Sequence, residues 1–228
     1  MDVKRYVIIV AGGSGIRMGI GTPKQFVELE QKPILMHTIS VFAGLSNLPE
    51  IIVALPEVHI ERWKELCQQH RFAARHKIVA GGNERFYSVK NGLNLVDDLN
   101  SVVAIHDGVR PLVSVAVVET CYRVAGQKGN AVPAIRPVES VRIEGNNGYS
   151  TSFPRHNVLL VQTPQVFRAN LIKRCYDVPY NPNFTDDASV VEASGERIFT
   201  VEGNPENIKI TTQSDLLTAG ILLRNKNL

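Results

Sequence analysis

Residues Tyr6 to Ala11 form an apolar, β-branched run that breaks directly into glycine: the stretch from Tyr6 to Phe26 reads YVIIVAGGSGIRMGIGTPKQF. A run so short and so apolar predicts a strand buried on both faces, the kind found in parallel sheets. The glycines at 12, 13, 15 and 19 let the backbone approach a ligand closely. Arg17 and Lys24 follow in the same loop, and nothing acidic lies between Asp2 and Glu28 to neutralise them. The ligand is therefore expected to be anionic. Phosphate fits best, because N–H groups of a tight glycine turn form an anion nest and cationic side chains close over it. A solvated turn would need neither this run of glycines nor two separated cations with the rigid Pro23 before the second.

Two familiar glycine loops are excluded by spacing. A dinucleotide fingerprint requires Gly-x-Gly-x-x-Gly or a terminal Ala, and counting from Gly13 the sixth place is Met18. A kinase-type phosphate loop requires Gly-Lys-Ser/Thr at its end, whereas Lys24 lies between Pro23 and Gln25.

The 228 residues are compatible with one large α/β domain, and 44% hydrophobic with 21% charged residues is ordinary for a globular chain. A net charge of +3 is too small for a nucleic-acid coat. Cys67, Cys121 and Cys175 are odd in number and widely spaced, which argues against a disulfide framework and against a zinc site. The apolar run after Lys4-Arg5 is too short for a signal peptide, and no stretch approaches a membrane span, so a cytoplasmic protein is expected.

Along the chain, helical spacing of Ile34, Leu35, Thr38, Ile39 and Phe42 predicts a first crossover helix after Pro33. Glu50–Leu55, Lys77–Ala80 and Ser101–Ile105 read as further buried strands, with helices after Pro56, from Arg85 and over Val115–Ala125. This alternation is the signature of a parallel sheet covered on both faces. Right-handed crossovers place all strand carboxyl ends on one edge, so Gly12-Gly13, Gly81-Gly82 and His106-Asp107 are expected at one crevice.

Past Asn130 the rhythm changes. Ala131–Ile135 reads as a strand, and Val138–Phe153 as an antiparallel hairpin turning at Asn146-Asn147-Gly148. Such a hairpin needs a partner surface, either its own domain or a second subunit. Thr185-Asp186-Asp187-Ala188 predicts a helix start, Asn207–Thr211 a last strand, and Thr212 with Asp215 a capping box for a terminal helix.

The segments AGGSGIRMGIGTPKQF, GGNERFYSV, IHDGVRP, QTPQVF, TDDAS and ENIKIT stand in the order and spacing of the sugar-phosphate cytidylyltransferases, over essentially the whole chain. The sequence resembles most the members acting on 2-C-methyl-D-erythritol 4-phosphate, with those acting on ribitol 5-phosphate the alternative. The resemblance implies one Rossmann-like α/β nucleotidyltransferase domain over residues 1–228, with a mainly parallel twisted sheet and a projecting β-arm at about 137–157 through which two copies pair. It implies CTP and a sugar-alcohol phosphate as substrates, Mg2+ as cofactor, and neither nucleic acid nor membrane as partner. A glycosyltransferase, by contrast, typically carries an Asp-x-Asp metal motif, and the chain has none.

By match to the family motifs, Arg17, Lys24 and Lys209 are the expected catalytic cations; Lys209 between Ile208 and Ile210 also reads as a solvated charge on an edge strand. The nucleotide is assigned to Ala11, Gly12, Gly13, Gly15, Gly82, Asn83 and Ser88, with Asn83 standing where aspartate is frequent. The acceptor is assigned to Asp107, Arg110, Ser140, Arg155, Thr163 and Thr185, with Glu139-Ser140 replacing the usual Asp-Thr and Asp107 also expected near the metal. His106 reads as a packed strand-end residue, and Asp186 and Asp187 as helix-start charges.

Overall fold

In a computed structural model, which describes residues 3–13 and 22–226, the apolar run becomes the central strand β1 (Arg5–Val10). Its alternate side chains feed two different cores. Val7 and Ile9 pack with Leu35, Phe42, Trp63 and Val118, while Tyr6 and Ile8 pack with Phe86, Val89, Leu93 and Ile172 on the opposite face. All four strand residues are fully buried, which is why the sequence shows no polar alternation there.

After a short hairpin, β2 (Glu28–Leu29) and β3 (Lys32–Pro33), the chain forms α1 (Ile34–Ala43), β4 (Glu50–Leu55), α2 (Ile60–Gln69), β5 (Lys77–Ala80), α3 (Arg85–Leu93), β6 (Val102–Asp107) and α4 (Val115–Lys128). There follow β7 (Asn130–Ile135), β8 (Val141–Glu144), β9 (Ser150–Phe153), β10 (Leu160–Val161), β11 (Gln165–Arg168), α5 (Ala169–Cys175), α6 (Asp187–Ala193), β12 (Thr200–Glu202) and α7 (Gln213–Lys226). The large sheet runs β10-β7-β11-β6-β1-β4-β5, with β12 beside β7. Strands β6, β1, β4 and β5 are mutually parallel, whereas β11 is antiparallel to both β6 and β7. Helices α1, α2 and α4 cover one face, and α3, α5 and α6 the other.

The chain moves outward from β1 through β4 to β5 and then returns to the other side of β1 as β6. The order thus reverses between β1 and β6, and the crevice outside their carboxyl ends is where such sheets bind ligands. Beyond the strands, Gly108 N–H donates to Val10 C=O at 2.9 Å and Gly81 N–H to Leu55 C=O at 2.7 Å. The loops therefore leave the sheet with defined geometry.

One expectation is corrected. Residues 207–211 do not form a strand; the segment is tied down by Ile210 N–H donating to Val109 C=O at 3.0 Å and by the fully buried Ile210 side chain. In its place the last strand is β12, parallel to β7, whose amino end is fixed by Asn130 accepting from Phe199 N–H at 2.8 Å. The capping box before α7 is present: Thr212 accepts from Asp215 N–H at 3.1 Å and Asp215 from Thr212 N–H at 2.8 Å. Strands β8 and β9 pair only with each other, and Ile143 and Tyr149 are exposed on that hairpin.

Helix α3 lies so close to β1 that a Cβ on Gly92 would stand 2.6 Å from Ile8 Cγ2, inside the core. Alanine there gains ~1 kcal/mol of helix propensity but costs about 1–3 kcal/mol by overpacking. Gly92→Ala is expected to destabilise the protein by about 1 kcal/mol net, read as a lower urea midpoint with an unchanged slope; a midpoint at or above wild type would show that the α3 contact yields freely.

Candidate active site

The loops after β1, β5 and β6 meet at one cleft. Ala11, Gly12, Gly13, Lys24, Gly82, Asn83, Ser88, Asp107 and Lys209 all line it, so residues expected from opposite ends of the chain are brought together. Arg17 and Gly15 lie outside the described residues.

Each glycine turn has its own reason. A Cβ on Gly13 would collide with the aliphatic stem of Lys24, so the absence of a side chain there is what allows the lysine to lie across the turn. A Cβ on Gly82 would collide with Tyr87, and Ser88 Oγ closes that turn by accepting from Gly82 N–H at 3.1 Å. Gly12 differs. Among the described residues a Cβ there would meet nothing within 4 Å, and Gly12 lines the cleft.

Asp107, the last residue of β6, is the electrostatic centre of the site. Its Oδ2 accepts from Arg110 Nε at 3.1 Å and pairs with Lys209 Nζ at 3.0 Å, while Oδ1 faces Arg85 Nε at 3.7 Å. Burial alone would raise its pKa, but Arg85, Lys209 and Arg110 outweigh burial and hold the carboxyl well below the usual carboxylate range. Lys209 is therefore a partner of Asp107, and it lies on no strand. Arg110 also donates through Nη1 to the Asn207 carbonyl at 2.7 Å, which fixes the chain just ahead of Lys209.

A buried chain of hydrogen bonds fixes the backbone of the same strand end. Thr163 Oγ1 accepts from Asp107 N–H at 3.1 Å, and the Thr163 hydroxyl lies 3.0 Å from His106 Nδ1. His106 Nε2 is 3.0 Å from the Arg110 carbonyl, which can only accept, so Nε2 carries the proton and Nδ1 accepts from Thr163. His106 is fully buried and burial pulls its pKa down to about 4. It is packed as expected, and Thr163 is enclosed with it.

The remaining acceptor residues lie elsewhere. Ser140 and Arg155 belong to the exposed hairpin region, where Arg155 donates to the Val138 carbonyl across its base. Thr185 is exposed ahead of α6. Asp186 caps that helix by accepting from Ser189 N–H at 2.8 Å, but Asp187 does more than begin it. Its fully buried carboxylate takes both Nη atoms of Arg85, at 2.8 and 2.6 Å, and the Tyr176 hydroxyl at 2.6 Å.

Sequence reading had passed over Arg85, although one local signal marks it. It is the first residue of α3, where a cation opposes the helix dipole, so its charge calls for a partner in the tertiary structure. Burial pushes the Cys67 thiol up to about 11 and the Cys121 thiol to about 12, which removes both as thiolate nucleophiles or ligands at neutral pH. Among the described residues no three His, Cys, Asp or Glu side chains are grouped to hold a metal ion.

His106 also sets a stability window. Its folded pKa lies below the ordinary 6.5, so the unfolded chain binds the extra proton, and stability present above pH 6.5 is lost as pH falls toward 4. A loss approaching about 3 kcal/mol is expected across that window, and His106→Asn should remove that portion of the slope. Urea titrations at pH 7, 5.5 and 4.5 measure it; parallel pH profiles for the two proteins would show that His106 titrates normally.

The chain matches known proteins over nearly its whole length. Residues 5–225 match the family model IspD: 2-C-methyl-D-erythritol 4-phosphate cytidylyltransferase. The enzyme of that name from Bacteroides fragilis is 49% identical over 96% of this chain and 99% of its own, and that from Clostridium perfringens strain SM101 is 38% identical over 93% and 95%. The crystal structure of the Francisella tularensis 2-C-methyl-D-erythritol 4-phosphate cytidylyltransferase superposes with a TM-score of 0.78 at 32% identity, over 96% of this chain and 99% of that one. The 4-diphosphocytidyl-2C-methyl-D-erythritol synthase of Anaerococcus prevotii superposes with a TM-score of 0.83 at 27% identity, over 97% and 96%. Matched over nearly its whole length by the family model and by these relatives, the chain belongs to the 2-C-methyl-D-erythritol 4-phosphate cytidylyltransferase family.

Proposed function

We propose that the protein transfers the cytidylyl group of CTP to 2-C-methyl-D-erythritol 4-phosphate, forming CDP-methylerythritol and pyrophosphate in the non-mevalonate route to isoprenoids. The convergence of Lys24 and Lys209 on one glycine-lined cleft carries this reading, with family membership naming the acceptor. Ribitol 5-phosphate is the less favoured acceptor, since the family model and the relatives bear the methylerythritol name.

An oxygen of the acceptor phosphate forms a bond to the α-phosphorus of CTP, and the bond from that phosphorus to the bridging oxygen breaks, so that pyrophosphate leaves with the electron pair. The nucleophile is already an anion and needs no general base. That demand suits a site whose strand-end histidine, His106, is neutral and enclosed and whose Asp107 is paired with Arg110 and Lys209. What the step needs is positioned positive charge, and Lys24, Lys209 and Arg17 are assigned to it. The cleft-lining backbone at Ala11, Gly12 and Gly13 is assigned to the nucleotide, with the Gly82-Asn83 turn held by Ser88 reading the pyrimidine edge.

Mg2+ typically binds through one or two carboxylates plus substrate phosphates. Asp107 fits that pattern as a carboxylate lining the cleft, with its Oδ1 3.7 Å from Arg85 and beyond hydrogen-bond distance, and the phosphates would supply the other oxygens. Bound there, the ion would neutralise phosphate charge. The exposed apolar side chains Val138, Ile143 and Tyr149 suit burial against a second copy of the chain, which would bring Ser140 and Arg155 to the partner's acceptor site. Three separate unpaired cysteines suit a reducing compartment, the cytoplasm.

Pyrophosphate release with Mg2+ and CTP, comparing methylerythritol phosphate with ribitol phosphate, tests the reaction. Turnover is expected with the first acceptor, a loss of about a hundredfold to a thousandfold in Lys24→Ala, and a raised KM for CTP at unchanged stability in Gly12→Ala. Turnover with ribitol phosphate alone would overturn the acceptor assignment. For the hairpin, sedimentation of the wild type should give a dimer and Ile143→Lys with Tyr149→Lys a monomer; a monomeric wild type at micromolar concentration would refute the pairing.

A further inference from the structure

The Arg85–Asp187 pair joins residues 102 positions apart, and the transfer mechanism above does not use it. Its geometry is more constrained than a buried ion pair needs to be. Asp187 is gripped from two sides, by both Nη atoms of Arg85 and by the hydroxyl of the buried Tyr176, whose ring stacks on Phe86 with centroids 4.7 Å apart. The helix carrying Asp187 is itself clamped to β11, because Gln165 donates to Asp186 Oδ2 at 2.8 Å and accepts from Ala188 N–H at 2.8 Å. The planar guanidinium thus has its two-nitrogen edge fixed in the protein body, and its remaining Nε edge turns toward Asp107 Oδ1 at 3.7 Å, on the wall of the cleft.

The charges are also unequal. Arg85, Arg110 and Lys209 surround Asp107 and Asp187, which leaves one positive charge unmatched within the cluster. Of the three cations, Arg85 and Arg110 are held by further partners, and Lys209 is the most exposed, with 41% of its side chain accessible. An anion entering the cleft therefore meets Lys209 as the most accessible of these three cations.

We propose that Arg85 is a positioning residue for the cytidylyl transfer: locked by Asp187 and Tyr176, it orients the Asp107 carboxylate, which in turn presents Lys209 to the phosphates. This rests on the reaction proposed above and assigns Arg85 no contact with the reacting atoms. A purely structural pair would contribute to folding and leave the chemical step alone. A positioning chain predicts that its loss lowers turnover and that the loss vanishes once Lys209 is gone.

The experiment measures kcat, both KM values and the melting temperature for wild type, Arg85→Lys and Tyr176→Phe, each alone and combined with Lys209→Ala. Arg85→Lys keeps the charge but loses the two-nitrogen grip, and should lower kcat about tenfold to a hundredfold, the scale of an ångström-sized misplacement, with the KM for CTP shifted less than about threefold. Tyr176→Phe, which keeps core volume and is expected to fold, should lower kcat in the same sense but less. In the Lys209→Ala background each substitution should change kcat by less than about threefold, because coupled residues are not additive. A lower melting temperature with unchanged kcat per folded molecule, or factors that multiply in the double variants, would overturn the positioning role. Normal wild-type turnover beside such a result would leave the reaction itself standing, whereas no wild-type turnover with either acceptor would remove both.

Discussion

The carboxylate of Asp107 is the interaction on which the site depends. It gathers Arg85 from the start of α3, Arg110 from the loop after β6 and Lys209 from the segment before α7, three pieces of chain drawn from distant parts of the sequence. Its side chain is only 9% exposed, so the charge cannot rely on water and is held by its cations. Removing the carboxylate from such a cluster leaves its cations uncompensated, typically at about 3–5 kcal/mol, while the intact set is far closer to neutral in its effect on stability. The cluster is therefore better understood as a device for geometry than as a source of stability.

That geometry is fixed from below by the sheet. Hydrogen bonds continue past the strand ends at Gly108 and Gly81, and the backbone of Asp107 is tied through Thr163 to a neutral His106. The apolar faces of β1 fasten the same edge to two separate cores, so the loops start from a rigid base. Preorganisation of this kind is what a phosphoryl-type transfer needs, since the nucleophile arrives charged and the enzyme supplies position and field.

Much of this was legible in the chain, for identifiable reasons. The β1 run, the strands beginning at Glu50 and Lys77, the hairpin at Asn146-Asn147-Gly148 and the Thr212–Asp215 cap are local signals, each decided within a few residues. The convergence of Gly12, Gly82 and Asp107 followed from the right-handed crossover rule. What stayed hidden was long-range. Asp187 looked like a charge favouring its own helix start, which concealed its bond to Arg85, and β12 is too short to show a period without knowledge of β7. Lys209 read equally as a surface charge because its partner, Asp107, is 102 residues away.

A third, smaller apolar cluster holds the piece of chain that bears Lys209: Ile210 packs there with Leu29, Val109, Leu112 and Ala219, apart from the two cores that flank the sheet. Val109 and Leu112 belong to the loop that follows Asp107, and Ile210 N–H donates to the Val109 carbonyl, so the lysine and its counter-charge are mounted on one small apolar patch. A change in that patch would alter the field in the crevice without touching either large core.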